Sequence, residues 1–344
     1  MGEFDLIELR EVCLSLPREK KRMEELLAGC GIRLDRLTYA AGLFDEEKMV
    51  ACGGCDGGVI KCVAVDPACR GEALADRLIS HLITKMRSEG IGKIKVFTKP
   101  ENEEIFASFG FFSVGRAEKA ILLESERDGV RRFASSLEKE RGEGVNGAIV
   151  MNANPFSLGH RFLIEEAAKR CDCLHVFVVE EDRSVFPFRV RKTLVEEGTA
   201  DLGNVKILDG GEYIISSSTF PSYFLKEYSE ATRVHAELDL DLFARVIAPS
   251  AGITKRFVGE EPTDRVTAEY NAVMKEMLPR FGIEPIVIPR LAVDGEPVSA
   301  SRVRKLFAEG KIEELRCLVP ETTLGFLLSE EAKPIAEAIR KRIL

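Results

Sequence analysis

Past residue 146 this chain alternates short apolar runs with amphipathic stretches, and no other feature of it limits the possible folds so much. The runs at Ala148–Met151, Leu174–Val179, Val205–Leu208, Arg256–Val258 and Ile286–Ile288 have the length of buried strands. Between them lie a helix that follows His160 and the stretches Phe188–Gly198, Ser222–Tyr228, Leu240–Ala248 and Val266–Phe281. Alternation of this kind predicts a parallel sheet with helices on both faces. In such a sheet, ligands lie at the carboxyl ends of the strands.

The first of those ends is the most informative. Asn152-Ala153-Asn154-Pro155-Phe156-Ser157-Leu158-Gly159-His160 is fed by a strand and left by a helix. Pro155 fixes φ and removes a donor, while Gly159 has no Cβ, so the chain can turn sharply and bring its amides close to a ligand. The helix carries Phe162, Leu163, Ile164, Ala167 and Ala168 on one side and Arg161, Glu165, Glu166, Lys169 and Arg170 on the other. Its dipole and free N–H groups therefore point at the loop, a setting that suits a phosphate. His160 falls in the first turn, whereas His81, His175 and His235 match no motif and read as structural.

A chain of 344 residues exceeds what one core serves well, so two domains are expected. Ser125 to Gly144 is dense in Glu and Arg, with Phe133 and Leu137 at i, i+4, and reads as a charged linker helix. It sets the expected boundaries at 1–125, 126–145 and 146–344. A net charge of −8 argues against a nucleic-acid partner. The apolar runs are too short to span a bilayer and the start has neither a basic nor an apolar leader region, so a soluble, cytoplasmic protein without a membrane partner is expected. Nine cysteines, an odd number, are expected to be reduced thiols. Cys52-Gly-Gly-Cys55 lacks a second pair or a nearby His, so no metal site is expected there. It reads as a hairpin between Met49–Cys52 and Val59–Val65, turning on Gly53, Gly54, Asp56, Gly57 and Gly58.

The first domain is expected to open with a helix over Arg18–Ala28, followed by an antiparallel meander of Leu37–Phe44, Met49–Cys52 and Val59–Val65. A helix from Leu74 to about Ser88, a strand over Ile94–Thr98, a short helix over Asn102–Phe109 and a strand near Ala120–Leu123 complete it. Val-Ala-Val-Asp-Pro ahead of Arg70-Gly71-Glu72-Ala73, with Asn102…Phe109-Gly110-Phe111 after the next strand, resembles the GNAT acetyltransferase superfamily. That resemblance implies an α+β domain in which Arg70, Gly71 and Ala73 wrap the pyrophosphate of a coenzyme-A-type ligand with backbone amides.

Two hydroxyl-rich stretches could hold a second phosphate. Ile215-Ser216-Ser217-Ser218-Thr219-Phe220-Pro221 has four hydroxyls and no cation, while Val298-Ser299-Ala300-Ser301-Arg302-Val303-Arg304 adds two arginines as a helix begins. Each also reads as a plain helix N-cap. Asn154-Pro155-x-Ser157-x-Gly159-His160 together with Ser299-x-Ser301-x-x-Arg304 resembles the paired signatures of the nucleotidylyltransferase superfamily. Ser157 stands where His or Thr is usual, and Ala300 where Ser is usual. The implied fold class is α/β, a GNAT-like α+β domain followed by a Rossmann-like nucleotidylyltransferase domain with a parallel sheet. Nucleotide contacts are implied for Asn152, Ala153, Asn154, Gly159, Arg183, Gly259, Ser299 and Ser301.

A GNAT-like half joined to such a domain, with Arg256-Phe257-Val258-Gly259-x-Glu261-Pro262 and Val266-Thr267-Ala268-x-Tyr270-Asn271 between the two signatures, resembles the citrate lyase ligase family over nearly the whole chain. The resemblance implies an ATP-dependent acid–thiol ligase that activates acetate as acetyl adenylate. The acetyl group then passes to the thiol of a dephospho-coenzyme-A-type prosthetic group on the acyl carrier subunit of citrate lyase, with AMP and diphosphate released and Mg²⁺ accompanying ATP. His160, Ser157 and Arg304 are the implied catalytic residues, and no metal ligand is implied in the chain. On the residues alone two other activities stay open, an adenylyltransferase acting on a phosphate-bearing cofactor precursor and a GNAT acetyltransferase using acetyl-coenzyme A.

Overall fold

The computed structural model describes the chain apart from residues 1–6, 70–72, 181–183, 216–219, 226–227, 262–263, 294 and 344. Its contacts divide it into two compact units, Met1–Gly129 with Pro221–Leu238, and Val130–Phe220 with Asp239–Leu344.

The first unit contains β1 (Ile7–Glu11), α1 (Pro17–Gly29), β2 (Tyr39–Asp45), β3 (Lys48–Asp56), β4 (Val59–Val65), α2 (Leu74–Ser88), β5 (Lys95–Thr98), α3 (Glu103–Ser108), β6 (Phe112–Arg116) and β7 (Ile121–Glu124). They form a seven-stranded sheet in the order β1-β2-β3-β4-β5-β7-β6, parallel between β4 and β5 and antiparallel at its other pairings. Leu74, Leu78, Ile79, Leu82 and Met86 of α2 are buried in the core that includes Val50, Ile60 and Val96. Each such side chain contributes roughly 1.5–3 kcal/mol by leaving water. Sequence reasoning does not reveal β1 and β6. Both are edge strands, which need fewer apolar residues and so leave a weak periodic signal. The glycine-rich hairpin is also tighter than its sequence suggests. β3 continues through Gly53 and Gly54 to Asp56, and a Cβ on Gly54 would lie 2.4 Å from the Tyr39 carbonyl oxygen. Glycine there serves close packing inside the sheet, and the turn is left to Gly57 and Gly58.

β4 and β5 pair only through Val59 with Lys95 and Ile60 with Val96. A cavity of about 680 Å³ opens alongside the unpaired remainder of these strands, lined in part by Val63, Val65, Ala73, Thr98, Tyr223 and Phe224. Tyr223 and Phe224 come from a stretch more than 90 residues beyond β7, and hydrogen bonds explain why they belong to this unit. The Arg33 N–H donates to the Tyr223 carbonyl at 2.9 Å, the Arg33 guanidinium donates to the carbonyls of Ser222 and Leu225 at 3.1 and 3.2 Å, and the Tyr223 hydroxyl donates to the Phe97 carbonyl at 3.2 Å.

The second unit begins within α4 (Gly129–Glu138), whose Phe133 ring packs 5.0 Å from that of Tyr213. Then come β8 (Asn146–Met151), α5 (Leu158–Ala168), β9 (Cys173–Val178), α6 (Phe188–Gly198) and β10 (Val205–Asp209). Helix α7 (Tyr228–Leu242), a π-helical segment (Phe243–Ile247) and α8 (Ala248–Ala251) make one run, of which Asp239 onward belongs to this unit. Ser222–Tyr228 and Leu240–Ala248, expected as separate elements, are the approach to this run and its far end. β11 (Ile253–Gly259), α9 (Arg265–Met277), β12 (Glu284–Ile288) and α10 (Ala300–Glu309) follow, with three short helices beyond. The sheet is parallel throughout, in the order β10-β9-β8-β11-β12. The order reverses between β8 and β11, which opens a crevice at their carboxyl ends. Among the described residues no helix is long and apolar enough to cross a membrane.

Candidate active site

At the carboxyl end of β8 the chain passes through Asn152 to Ser157 before α5 begins. Ala153 is buried and has φ +49, a left-handed conformation that costs a non-glycine residue about 1–2 kcal/mol. Ser157 caps α5. Its Oγ accepts from the His160 N–H at 3.4 Å, and the Ser157 N–H donates to His160 Nδ1 at 3.1 Å, closing a reciprocal capping box with His in place of the usual Glu. Nδ1 is therefore an acceptor, so the neutral ring carries its proton on Nε2. Only 1% of Ser157 is exposed and its Oγ lies 2.9 Å from Nδ1. The sequence suggests Ser157 as a phosphate donor; in this structure its hydroxyl and N–H both meet His160. The ring also lies parallel to that of Phe156, with centroids 6.0 Å apart.

The second signature meets this loop. Ser299 caps α10 by accepting from the Arg302 N–H at 3.2 Å. Arg304, one turn in, donates from Nη1 to the Asn154 carbonyl at 2.5 Å and from Nη2 to Ser301 Oγ at 2.9 Å. Gly159 makes the approach possible: a Cβ there would sit 2.8 Å from the Val298 carbonyl oxygen. Two helix N-termini are thus gathered at one loop. Asn152 exchanges hydrogen bonds with the Ser184 hydroxyl at 3.0 and 3.2 Å, and Asn154 Oδ1 accepts from the Phe186 N–H at 3.1 Å. Gly259 ends β11, where its carbonyl accepts from Asn271 Nδ2 at 3.2 Å. A Cβ on Gly259 would meet nothing and its φ is ordinary, so neither packing nor backbone conformation demands glycine at this strand end.

Two arginines missed by sequence reasoning support the loop. Arg191, on α6, is fully buried and donates to the carbonyls of Asn152 and Phe186 at 2.6 and 3.0 Å. Nothing in an amphipathic helix pattern marks such an arginine. Arg290, two residues past β12, is close enough to influence His160 and pairs with Glu261. Its place at the end of a strand was the available clue. Of the expected contacts, Arg183, Arg70 and Gly71 lie outside the described residues, as do Ser216 to Thr219. Ala73 lines the large cavity of the first unit, with φ +54 at the start of α2.

Burial, reinforced by the charges of Arg290 and Arg304, pulls the His160 pKa from 6.5 down to about 4. The imidazole is neutral at neutral pH. Between about pH 6.5 and pH 4 the unfolded chain holds a proton on this residue that the folded chain does not. Stability should therefore fall as the pH drops through that window, by at most about 1.4 kcal/mol per pH unit, and level off below it. His160→Gln should flatten this part of the curve in urea unfolding at closely spaced pH. An unchanged slope would mean that the residue titrates normally.

These features define the class first: a two-unit α/β protein in which a unit with a largely antiparallel sheet precedes a parallel-sheet unit with a candidate loop-and-helix site at its carboxyl edge. Residues 4–111 match the acetyltransferase (GNAT) family, and residues 146–327 match the citrate lyase ligase C-terminal domain. The chain is 42% identical over 289 residues to the citrate (pro-3S)-lyase ligase of Klebsiella pneumoniae, covering 82% of this chain and 84% of the relative. It is 43% identical over 305 residues to that of Escherichia coli strain K12, covering 86% and 87%, and 42% identical over 336 residues to that of Haemophilus influenzae, covering 94% and 98%. The chain belongs to the citrate lyase ligase family and is an enzyme of the ligase class.

Proposed function

We propose that this protein joins acetate to the thiol of the prosthetic group on the acyl carrier of citrate lyase, with ATP as the energy source. The observation that carries the chemistry is the convergence of the α5 and α10 N-termini on one loop through Arg304 and the Asn154 carbonyl. A nucleoside triphosphate suits it, because helix N-terminal amides, a guanidinium and a neutral N–H donor are gathered at one loop. Gly259, free of any packing demand, leaves room for a ligand against its backbone. Among the described residues no three His, Cys, Asp or Glu side chains gather to hold a metal. The described residues offer no cage, and a Mg²⁺ ion held mainly by substrate phosphates and water fits that arrangement.

In the first step an acetate oxygen bonds to the α-phosphorus, and the bond from that phosphorus to the diphosphate oxygen breaks. Acetate is already an anion, so the site needs to align the reactants and stabilise charge on the leaving diphosphate. His160 Nε2–H, fixed by the Ser157 cap, donates to a phosphate oxygen, and Arg304 with Ser299 and Ser301 holds the diphosphate end. In the second step the carrier thiolate attacks the acetyl carbon and AMP leaves. The test is isotope exchange between ATP and diphosphate, followed by AMP formation on adding the carrier. Exchange should require acetate, and AMP should require acetate and carrier together. Exchange without acetate, or acetyl-coenzyme A replacing ATP plus acetate, would overturn the proposal.

A further inference from the structure

A buried charge takes no part in the steps above. Arg256, in β11, is 2% exposed, and its Cζ stands 4.5 Å over the Phe243 ring. Its Nε and Nη1 are buried with no hydrogen-bond partner among the described residues. A guanidinium stays protonated, and the face of an aromatic ring cannot answer donors that lie in the guanidinium plane. Such donors are strongly unfavourable in a buried place unless something meets them.

Arg256 lines a cavity of about 270 Å³ inside the second unit. Tyr270 and Asp239 line it too, but they answer each other: the Tyr270 hydroxyl donates to Asp239 Oδ2 at 2.7 Å, and the Ile215 N–H donates to Oδ1 at 2.8 Å. Both carboxylate oxygens are engaged, the Tyr270 hydroxyl also meets the Arg256 side chain, and Arg256 Nε and Nη1 stay unmet. Val179 and Ile214 give the wall an apolar part, and Asn152, first residue of the loop after β8, connects the cavity to the nucleotide loop.

We infer that this cavity is the subsite for the acid, with Arg256 supplying charge and donors to the carboxylate and Val179 and Ile214 facing its short alkyl end. The inference rests on the proposed acetate activation. With one negative charge already on Asp239, a monocarboxylate is better tolerated here than a phosphate dianion. A two-carbon acid fills only part of the space.

The test uses the full chain. In acetate-dependent exchange, Arg256→Met should raise the acetate concentration for half-maximal rate by about tenfold or more, the effect of losing a charged hydrogen-bond partner, while the ATP requirement changes little. Arg256→Lys, which keeps the charge, should recover part of the loss. An unchanged acetate requirement in either folded variant overturns the subsite and leaves acetate activation standing. Because a buried arginine can be needed for folding, Val179→Phe is the second probe: it should exclude propionate more than acetate, and equal effects on both overturn the assignment. If the wild type shows no acetate-dependent exchange, the proposed activity fails and the subsite is judged by melting alone. Sodium acetate should then raise the melting temperature above sodium chloride at equal ionic strength, and no difference in the wild type overturns it.

Discussion

His160→Ala should lower turnover on the order of a hundredfold or more, about 3 kcal/mol, while the ATP concentration for half-maximal rate stays within a few-fold. The reason is where its proton points. The Ser157 N–H donates to Nδ1, so Nε2–H is the group left for a ligand, and charge on the phosphates grows toward the transition state. The ring stays neutral down to about pH 4, so the donor is present throughout the physiological range. A residue serving only as a cap would behave differently. Losing Nδ1 leaves the Ser157 N–H unmet, which costs about 1 kcal/mol of stability and leaves turnover intact. Melting temperature, ATP affinity and AMP production on one preparation separate the two roles, and near-normal turnover in a well-folded His160→Ala protein would remove the residue from the mechanism.

Arg304→Ala should be the other large effect, lowering kcat/KM for ATP by about two to three orders of magnitude. It carries two losses at once. The positive charge that would meet the diphosphate disappears, and so does the link from α10 to the Asn154 carbonyl at 2.5 Å. An unmet carbonyl that is only half-buried costs less than the roughly 1–3 kcal/mol of a fully buried one, and the variant should also melt earlier. Arg304→Lys should recover little, because one ammonium cannot take the place of a planar fork bridging Asn154 and Ser301. Full activity in Arg304→Lys, or a lower melting temperature with unchanged kcat/KM in Arg304→Ala, would assign the residue to structure alone.

Legibility in the sequence followed the range of the interaction. The strand, turn and helix around Asn152 to His160 were readable because a cap, a proline, a glycine and an apolar stripe lie within one or two turns of each other. The same holds for Ser299 at the start of α10 and for α2, whose boundaries matched the expected ones. The edge strands β1 and β6 were not readable, because half-exposed strands carry a faint alternation.

The sequence by itself determined the parallel α/β character of the second unit, because periodicity acts over a few residues. Its motifs pointed by resemblance to the GNAT-like order of the first and to the candidate site residues. Only the tertiary structure decided that Arg304 reaches a carbonyl 150 positions earlier, that Gly159 is needed because the Val298 carbonyl comes so near, and that the Ser157 hydroxyl and N–H both meet His160. It also decided that Pro221–Leu238 belongs to the first unit and that Arg256 is buried with unmet donors. Those outcomes depend on which distant backbone and side-chain groups satisfy one another once water is excluded, and no local pattern records that pairing.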